Sequence, residues 1–142
     1  MQVFIVGSPL ETAKAMVRDT KRFNKQIVEC QQILDALNGS KAWSNHPCTL
    51  QYRGHENWLQ NYMSCLMHYR NGDIERAKIC SEWCNLEKPS FHTKDYFNQM
   101  KRRLYTKDLI FYAQWMNLGM SEDNWYFVDG EWRIYRNGKR VK

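Results

Sequence analysis

The chain has 142 residues, of which 43% are hydrophobic and 14% aromatic, so it can bury a sizeable core and is not a disordered protein. No apolar run reaches the roughly 18 residues of a membrane span, and the first residues lack the basic and apolar regions of a secretory signal. A formal charge of +6 makes nucleic acid the leading candidate partner, although an ordinary basic surface also accounts for it.

We expect a single domain over residues 1–142 with a mobile basic tail at 136–142, in a monomeric cytoplasmic protein that associates with the nucleoid. The five cysteines form no CxxC pair, and the four histidines show no zinc spacing to them. The sequence therefore predicts reduced thiols, no metal and no cofactor.

The N-terminal part of the chain predicts an apolar segment followed by two helices. The run "VFIV" at 3–6 is either a strand or a buried segment, and "LETAKAMV" after the break "GSP" is typical of a short helix. The stretch "RFNKQIVECQQILDAL" belongs to a longer helix, predicted over 20–37 with Gly39 as its C-terminal cap. The apolar stripe of this helix comprises Phe23, Ile27, Cys30, Leu34 and Leu37.

Four further helices are predicted before the chain changes character. The first runs from about 55 to 71, and Asp73 caps the second directly after it. Thr93 caps the third helix, and Thr106 caps the fourth, "KDLIFYAQWMNL", which ends at Gly119.

The C-terminal sequence "NWYFVDGEWRIYR" predicts a β-hairpin, because two aromatic-rich runs flank the turn dipeptide "DG". The fold class is therefore mostly α: a single compact helical domain with a short N-terminal extended segment and a C-terminal aromatic β-hairpin. Strand alternation sends some of the rings inwards, where they pack in the core. Rings that point outwards, near Arg136 and the basic tail, would form a platform for stacking bases.

A row of charged residues lies on the side of the 20–37 helix that is not apolar. Arg22, Lys25 and Glu29 follow each other at spacings of three and four, so they share a face. This row is either a solvated surface with a Lys25–Glu29 ion pair or a phosphate-binding face. In the second case the Glu29 carboxylate would face the polyanionic DNA, which is unfavourable. A role in acid–base catalysis or in electrostatic stabilisation beside DNA would explain its presence.

Two loop stretches, "WSNHP" and "RGHENW", carry Asn45, His46, Arg53 and His55. These side chains are candidates for lining a pocket, although a loop histidine more often makes local hydrogen bonds than it takes part in catalysis.

A run of cations, Lys101, Arg102, Arg103 and Lys107, spans the end of one predicted helix and the start of the next. The amides of a helix start together with these cations would suit a phosphate. A solvated run of charges is the alternative interpretation.

Taken together, the order of these features resembles the pyrimidine-dimer DNA glycosylase family, the endonuclease V-type repair enzymes of phages and bacteria. The resemblance covers nearly the whole chain and is strongest for the bacterial branch. It rests on "MQVF", "KRFNKQIVECQQIL", "AWSNHP", "HENWL", "RRLYTKD" and "DGEWRIYRNGK". It implies a helical domain that binds a damaged duplex and flips out a base, with an N-terminal α-amine that attacks the sugar C1′ to form a Schiff base.

The resemblance also implies roles for individual residues. Glu29 matches the family's glutamate, which stabilises the cationic sugar and assists proton transfer, and Arg22 and Lys25 would lie beside phosphates. Two departures stand out. Residue 2 is Gln, whose bulk disfavours removal of Met1, so the nucleophile would be the Met1 amine or Lys25, or would be absent. Val28 and Cys30 flank Glu29, where the phage enzyme has arginines.

The sequence thus predicts a DNA base-excision glycosylase, with or without AP-lyase activity, that acts on double-stranded DNA carrying pyrimidine dimers or another damaged or modified base. The alternatives are a basic nucleic-acid-binding module without catalysis and an enzyme of the same fold that acts on a modified base or nucleotide in phage or anti-phage biology. The predicted catalytic residues are Glu29, Met1 and Lys25. The predicted DNA-binding residues are Arg22, Arg53, Lys101, Arg102, Arg103, Lys107 and Arg136. The predicted base pocket comprises Asn45, His46, His55, Trp125, Tyr126 and Trp132.

Overall fold

The computed structural model describes residues 1–142 and consists of helices followed by a small sheet, which confirms the predicted fold class. The helices are α1 (Pro9–Met16), α2 (Thr20–Leu37), α3 (Pro47–Tyr52), α4 (Glu56–Arg70), α5 (Ile74–Leu86), α6 (Lys94–Lys107) and a 3₁₀ helix (Ala113–Leu118). The strands are β1 (Asp123–Val128), β2 (Glu131–Arg136) and β3 (Lys139–Arg140), in the antiparallel order β1-β2-β3. None of the helices combines the length and the apolar character needed to cross a membrane.

The predicted starts of α5 and α6 and the predicted end of α2 agree with the structure, and a capping residue or a following glycine marks each of them. The side chain of Asp73 accepts a hydrogen bond from the amide of Arg76 at 3.2 Å, and that of Thr93 accepts one from the amide of Tyr96 at 3.3 Å. Gly39 follows α2 with a φ of 112°, a backbone conformation that other residues rarely adopt.

Helix α4 lies at the centre of the fold and packs against α1, α2 and α5. Its apolar stripe is buried through Trp58, Tyr62 and Cys65, and the Trp58 indole donates to the carbonyl of Cys84 at 3.1 Å. Burying each large apolar side chain contributes roughly 1.5–3 kcal/mol, so this stripe is a major source of stability. All five cysteines are free thiols, and burial raises the pKa of Cys65 to about 12.

The N-terminal segment 2–6 is buried but forms no strand, which decides between the two structures predicted for "VFIV". A short helix that was not predicted, α3, begins at Pro47, and the His46 side chain accepts a hydrogen bond from the amide of Cys48. Proline at the first position of a helix is well tolerated, since its missing N–H has no partner there.

The predicted helix over 107–118 is wrong. Thr106 does not cap it, because its hydroxyl donates back to the carbonyl of Arg102 at 2.7 Å and accepts from the amide of Ser121 at 2.8 Å. Helix α6 therefore includes Thr106, and the chain leaves helical geometry at Asp108 before a turn and the 3₁₀ helix. The helix start that was expected to present amides to a phosphate beside Lys107 is not formed.

The hairpin is confirmed, with Asp129 and Gly130 at the turn and Val128 opposite Glu131. Both turn residues have positive φ, 53° and 77°, as tight two-residue hairpin turns require. The basic tail, which was expected to be mobile, continues the sheet as β3, and the amide of Val141 donates to the carbonyl of Ile134 at 2.8 Å.

Candidate active site

A cavity of about 100 Å³ lies between the N-terminal segment, α2, α6 and the start of the sheet. Its lining comprises Met1, Gln2, Phe4, Arg22, Lys25, Gln26, Glu29, Arg103, Lys107 and Asn124. Four of these side chains are cationic and one, Glu29, is anionic. The face of α2 that carries Arg22, Lys25 and Glu29 thus forms one wall of an electropositive pocket.

Gln26 holds the N-terminal segment against α2. Its amide oxygen accepts a hydrogen bond from the backbone N–H of Phe4 at 2.6 Å, and its amide nitrogen donates to the carbonyl of Gln2 at 3.1 Å. The side chain is buried and satisfies two backbone groups of a segment that has no strand neighbour there. This pair of bonds fixes where the first residue of the chain lies.

Glu29 completes the attachment of the N-terminal segment. Its Oε2 accepts a hydrogen bond from the backbone N–H of Gln2 at 3.2 Å, and its Oε1 lies 3.9 Å from Nζ of Lys25. The Glu29 side chain is 14% exposed, whereas that of Lys25 is 75% exposed. The carboxylate is therefore held beside Met1 in a partly dehydrated position, where its charge acts more strongly than at the surface.

Two cations of the pocket are influenced by their neighbours. Arg22 forms an ion pair with Asp19, whose Oδ2 also accepts a hydrogen bond from the hydroxyl of Tyr112 at 2.7 Å. Lys107 is an exposed residue, but partial burial of its ammonium group, followed by the positive charge of Arg103, lowers the pKa of that group. Cations that lie close to other cations and are partly dehydrated are stabilised when an anion binds beside them.

The other predicted phosphate ligands on α6 make protein contacts. Arg103 is only 8% exposed, and its guanidinium donates to Oδ1 of Asn124 at 3.0 Å and to the carbonyl of Ser121 at 3.1 Å. Arg102 donates to the carbonyl of Leu118 at 2.9 Å. These arginines fasten α6 to the segment that leads into β1, and only Arg103 also lines the pocket.

Two residues of the predicted base pocket lie beside Met1. The hydroxyl of Tyr126 donates to the Met1 carbonyl at 2.7 Å, and the ring of His46 lies 5.8 Å from the Tyr126 ring, edge to face. Burial, and then the positive charge of the N-terminal amine, lowers the pKa of His46 to about 4. His46 is therefore neutral at physiological pH and accepts the Cys48 N–H through Nδ1 at 3.1 Å.

A second cavity, of about 290 Å³, also borders Met1 and Glu29. Its lining comprises Met1, Lys25, Val28, Glu29, Gln32 and Trp43. Since Met1, Lys25 and Glu29 line both cavities, the N-terminal residue stands between a cationic pocket and a more apolar one.

The remaining predicted base-pocket residues lie apart from Met1 or face other groups. His55, together with Arg53 of the predicted DNA-binding set, lines a separate pocket. Trp132 packs on the Phe127 ring at 5.1 Å between centroids, and Asn45 is exposed on its loop.

Three other predicted residues contact groups outside the cationic pocket or lie in another pocket. Trp125 contributes its backbone carbonyl, which accepts from the Gln2 side chain at 3.4 Å. Lys101 lines another pocket, with Glu11 and Trp115, and Arg136 pairs with Asp123 at 2.7 Å.

Sequence reasoning missed Gln26, Asn124 and Trp43 as parts of the site. Gln26 left a signal, since it lies three residues after Phe23 and four before Cys30 and so is a polar residue on the buried face of α2. Nothing in the sequence indicates the partners of Asn124 or the backbone conformation of Trp43. No group of three or more histidine, cysteine, aspartate or glutamate side chains is arranged to hold a metal ion.

Comparison with known proteins supports the resemblance for the N-terminal 69 of the 142 residues. Residues 1–69 match the family model described as pyrimidine dimer DNA glycosylase. The matched part runs from Met1 to the last turn of α4 and includes Arg22, Lys25 and Glu29. No curated protein and no solved structure matches the chain.

Proposed function

We propose that this protein is a DNA glycosylase that excises a pyrimidine dimer or another damaged base from double-stranded DNA, with the α-amine of Met1 as nucleophile and Glu29 as the essential carboxylate. The observation that supports this most strongly is that Met1 and Glu29 line one cationic pocket. The match of residues 1–69 to a glycosylase family supports DNA as the substrate.

The chemistry requires a nucleophile, a stabilising anion and a proton carrier. The unprotonated amine attacks C1′, the C1′–N bond to the base breaks, and the base leaves with the bonding electron pair and gains a proton. The amine then loses a proton, the ring C1′–O4′ bond opens, and a C1′=N imine forms with O4′ as a hydroxyl. Glu29 would stabilise positive charge at the sugar and transfer the protons, since it is close to Met1 and poorly hydrated.

Met1 is the better of the two candidate amines. An α-amine ordinarily titrates roughly two pH units below a lysine side chain, so more of it is unprotonated at neutral pH. Met1 is also fixed, through Tyr126 on its carbonyl and Glu29 on the next amide. Lys25 is largely exposed and only 3.9 Å from the carboxylate, where an ammonium is useful as a phosphate ligand.

The cations around the pocket would hold the phosphates that flank the flipped nucleotide. The pocket is lined by Arg22 and Lys25 from α2 and by Lys107 from α6. These side chains can therefore contact a DNA sugar-phosphate backbone that passes across the opening. Such contacts position the duplex without reading its sequence, and a base extruded from the stack can then reach Met1.

The test is borohydride trapping on ultraviolet-irradiated duplex DNA. Borohydride reduces the imine to a stable amine, so we expect a covalent adduct that depends on irradiation and maps to the Met1 peptide. Lys25→Gln should still form it. Glu29→Gln and a variant with one alanine added before Met1 should not.

Each contrary result removes a specific part of the proposal. An adduct that maps to Lys25 and survives the added alanine would exclude Met1 as the nucleophile. Tight, salt-dependent duplex binding without adduct or base release, on dimers and on modified bases alike, would leave a binding module. Intact mass spectrometry of the same sample shows whether Met1 is present and unformylated.

A further inference from the structure

Trp43 is an exposed aromatic residue on the wall of the larger cavity beside Met1. The side chain is 46% exposed, although an indole ring is among the largest apolar groups that a protein can bury. Val28 of α2, which is 55% exposed, lines the same cavity. Two apolar side chains therefore border a space that is also lined by Glu29 and the N-terminal residue.

The backbone at Trp43 adopts a conformation that tryptophan rarely takes. Its φ is 64°, in the left-handed region, where a residue with a Cβ is strained by roughly 1–3 kcal/mol. The other two non-glycine residues with positive φ, Asp129 and Asn137, belong to types that tolerate this region. A glycine would fit the backbone of Trp43 without strain, so the ring itself must be the reason for this residue.

The Trp43 ring is not buried but packs against another ring. His46 meets Trp43 edge to face at 5.7 Å between centroids and meets Tyr126 at 5.8 Å, so the three rings form a row. Tyr126 in turn holds the carbonyl of Met1. This row ties the position of the indole to the position of the N-terminal residue.

We propose that Trp43 is the stacking surface for the extrahelical base whose sugar Met1 attacks, with Val28 as the opposite wall. This inference rests on the proposed function and assigns the part of the site that holds the leaving base. One bond joins that base to C1′, so a nucleophile at C1′ has the base within a few ångströms. The larger cavity, which shares Met1 and Glu29 with the cationic pocket, is then where the base lies. Stacking on an aromatic face suits any damaged base, since every base has a π face.

The first experiment compares two substrates that differ in the presence of the base. Single-turnover rates are measured on irradiated duplex and on a duplex with an abasic site, whose aldehyde forms the imine with no base to stack. We expect Trp43→Ala to slow reaction of the irradiated duplex by roughly 10- to 100-fold and to change the abasic reaction by less than about twofold. Trp43→Phe should restore most of the rate, and Leu86→Ala, which removes an exposed apolar side chain on α5, should have no effect.

Equal slowing on both substrates would overturn the assignment, because Trp43 would then support Met1 rather than the base. An unchanged rate on both would overturn it as well.

A second experiment separates the role of the ring from its cost to the fold. Trp43→Gly and Trp43→Ala both remove the ring, but only glycine relieves the backbone at a φ of 64°. We expect the melting temperature of Trp43→Gly to exceed that of Trp43→Ala by a few degrees, while both excise the base slowly. The reverse order of melting temperatures would contradict the strain at this position, and with it the argument that the ring is held in place for a ligand.

Binding measurements in the Glu29→Gln background distinguish failure of this inference from failure of the proposed function. A preference for irradiated over intact duplex that Trp43→Ala abolishes, without any adduct in the wild type, supports the stacking surface and contradicts the glycosylase. An adduct whose rate does not depend on Trp43 contradicts the stacking surface alone. Equal affinity for both duplexes together with no adduct contradicts both.

Discussion

The backbone N–H of Gln2 donates a hydrogen bond to Oε2 of Glu29 at 3.2 Å, across 27 residues of sequence. A carboxylate that would otherwise be a surface charge on α2 is thereby tied to the residue next to the N-terminus. Its other oxygen remains directed towards Lys25, 3.9 Å away. Glu29 therefore has both a structural bond and a free charge in the pocket, and substitutions can separate the two.

Glu29→Gln keeps an oxygen that accepts from Gln2 but removes the charge. We expect turnover to fall by at least about 100-fold, because the cationic sugar loses its stabilising anion, while duplex affinity stays equal or increases. Single-turnover base release and equilibrium binding measure the two effects. Glu82→Gln on the exposed face of α5 is the matched control and should behave as wild type. A loss of affinity equal to the loss of rate would mean that Glu29 serves binding only.

Gln26→Leu removes both hydrogen bonds that hold the N-terminal segment. Two buried backbone groups, the N–H of Phe4 and the carbonyl of Gln2, would lose their partner, and each costs about 1–3 kcal/mol when left unpaired. We expect urea denaturation to show a loss of roughly 2–4 kcal/mol in the free energy of unfolding. Gln31→Leu, at an exposed position of the same helix, should change it by less than about 0.5 kcal/mol. Equal effects would show that the segment is held by its apolar residues instead.

Lys107→Gln removes a cation that burial and neighbouring charges have already made costly to keep charged. If Lys107 contacts a phosphate, the slope of log K against log salt concentration for duplex binding should decrease by about one. Lys78→Gln, an exposed lysine of α5 that does not line the pocket, should leave the slope unchanged. Titrations at several salt concentrations measure both slopes, and a shared decrease would indicate a diffuse effect of net charge.

His92 makes stability depend on pH. Burial, and then the positive charges of His55 and Lys88, lowers the pKa of His92 to about 3. The unfolded chain takes up this proton near pH 6.5, so the contribution of the neutral imidazole is complete above pH 6.5 and is lost as the pH falls towards 3. Between pH 7 and pH 4 the loss amounts to about 3 kcal/mol.

Urea denaturation of the wild type beside His92→Gln tests the role of His92. The variant is expected to be less stable at pH 7, because the hydrogen bond of 2.9 Å to the Tyr52 hydroxyl is disturbed, but to lose less stability on acidification. Parallel pH profiles would show that other groups cause the acid sensitivity.

The sequence predicted the helical part of the fold wherever the periodicity and a cap agreed. The bounds of α2 match the prediction, because an apolar stripe without proline or glycine ends at a glycine that only a helix terminus explains. The prediction failed for the segment after Thr106, because a threonine that precedes an apolar run is also typical of a helix N-cap. The Thr106 hydroxyl donates to the carbonyl of Arg102 one turn earlier in α6 and accepts from the amide of Ser121, and the second of these is a tertiary contact.

Only the part of the candidate site that lies on one face of α2 could be predicted from the sequence. Arg22, Lys25 and Glu29 share a face by spacing alone, and the structure adds what spacing cannot give: the N-terminal residue lies against that face. The role of Gln26 depends on backbone groups of Gln2 and Phe4, which are more than 20 residues away in the sequence. The positive φ of Trp43 cannot be predicted from composition or periodicity. His46 and Tyr126 were predicted from residue type, and only the fold brings them together.

The hydrogen bond from Tyr126 to the carbonyl of Met1 spans 125 residues, almost the length of the chain. Met1 and the hairpin are therefore brought together only in the folded chain. Helices α1 to α5 can form from local contacts, but the cationic pocket also needs Asn124 of β1 and closes only when the hairpin has folded. A chain truncated before β1 would lack the tyrosine that fixes Met1, and under the proposed function it would not react with DNA.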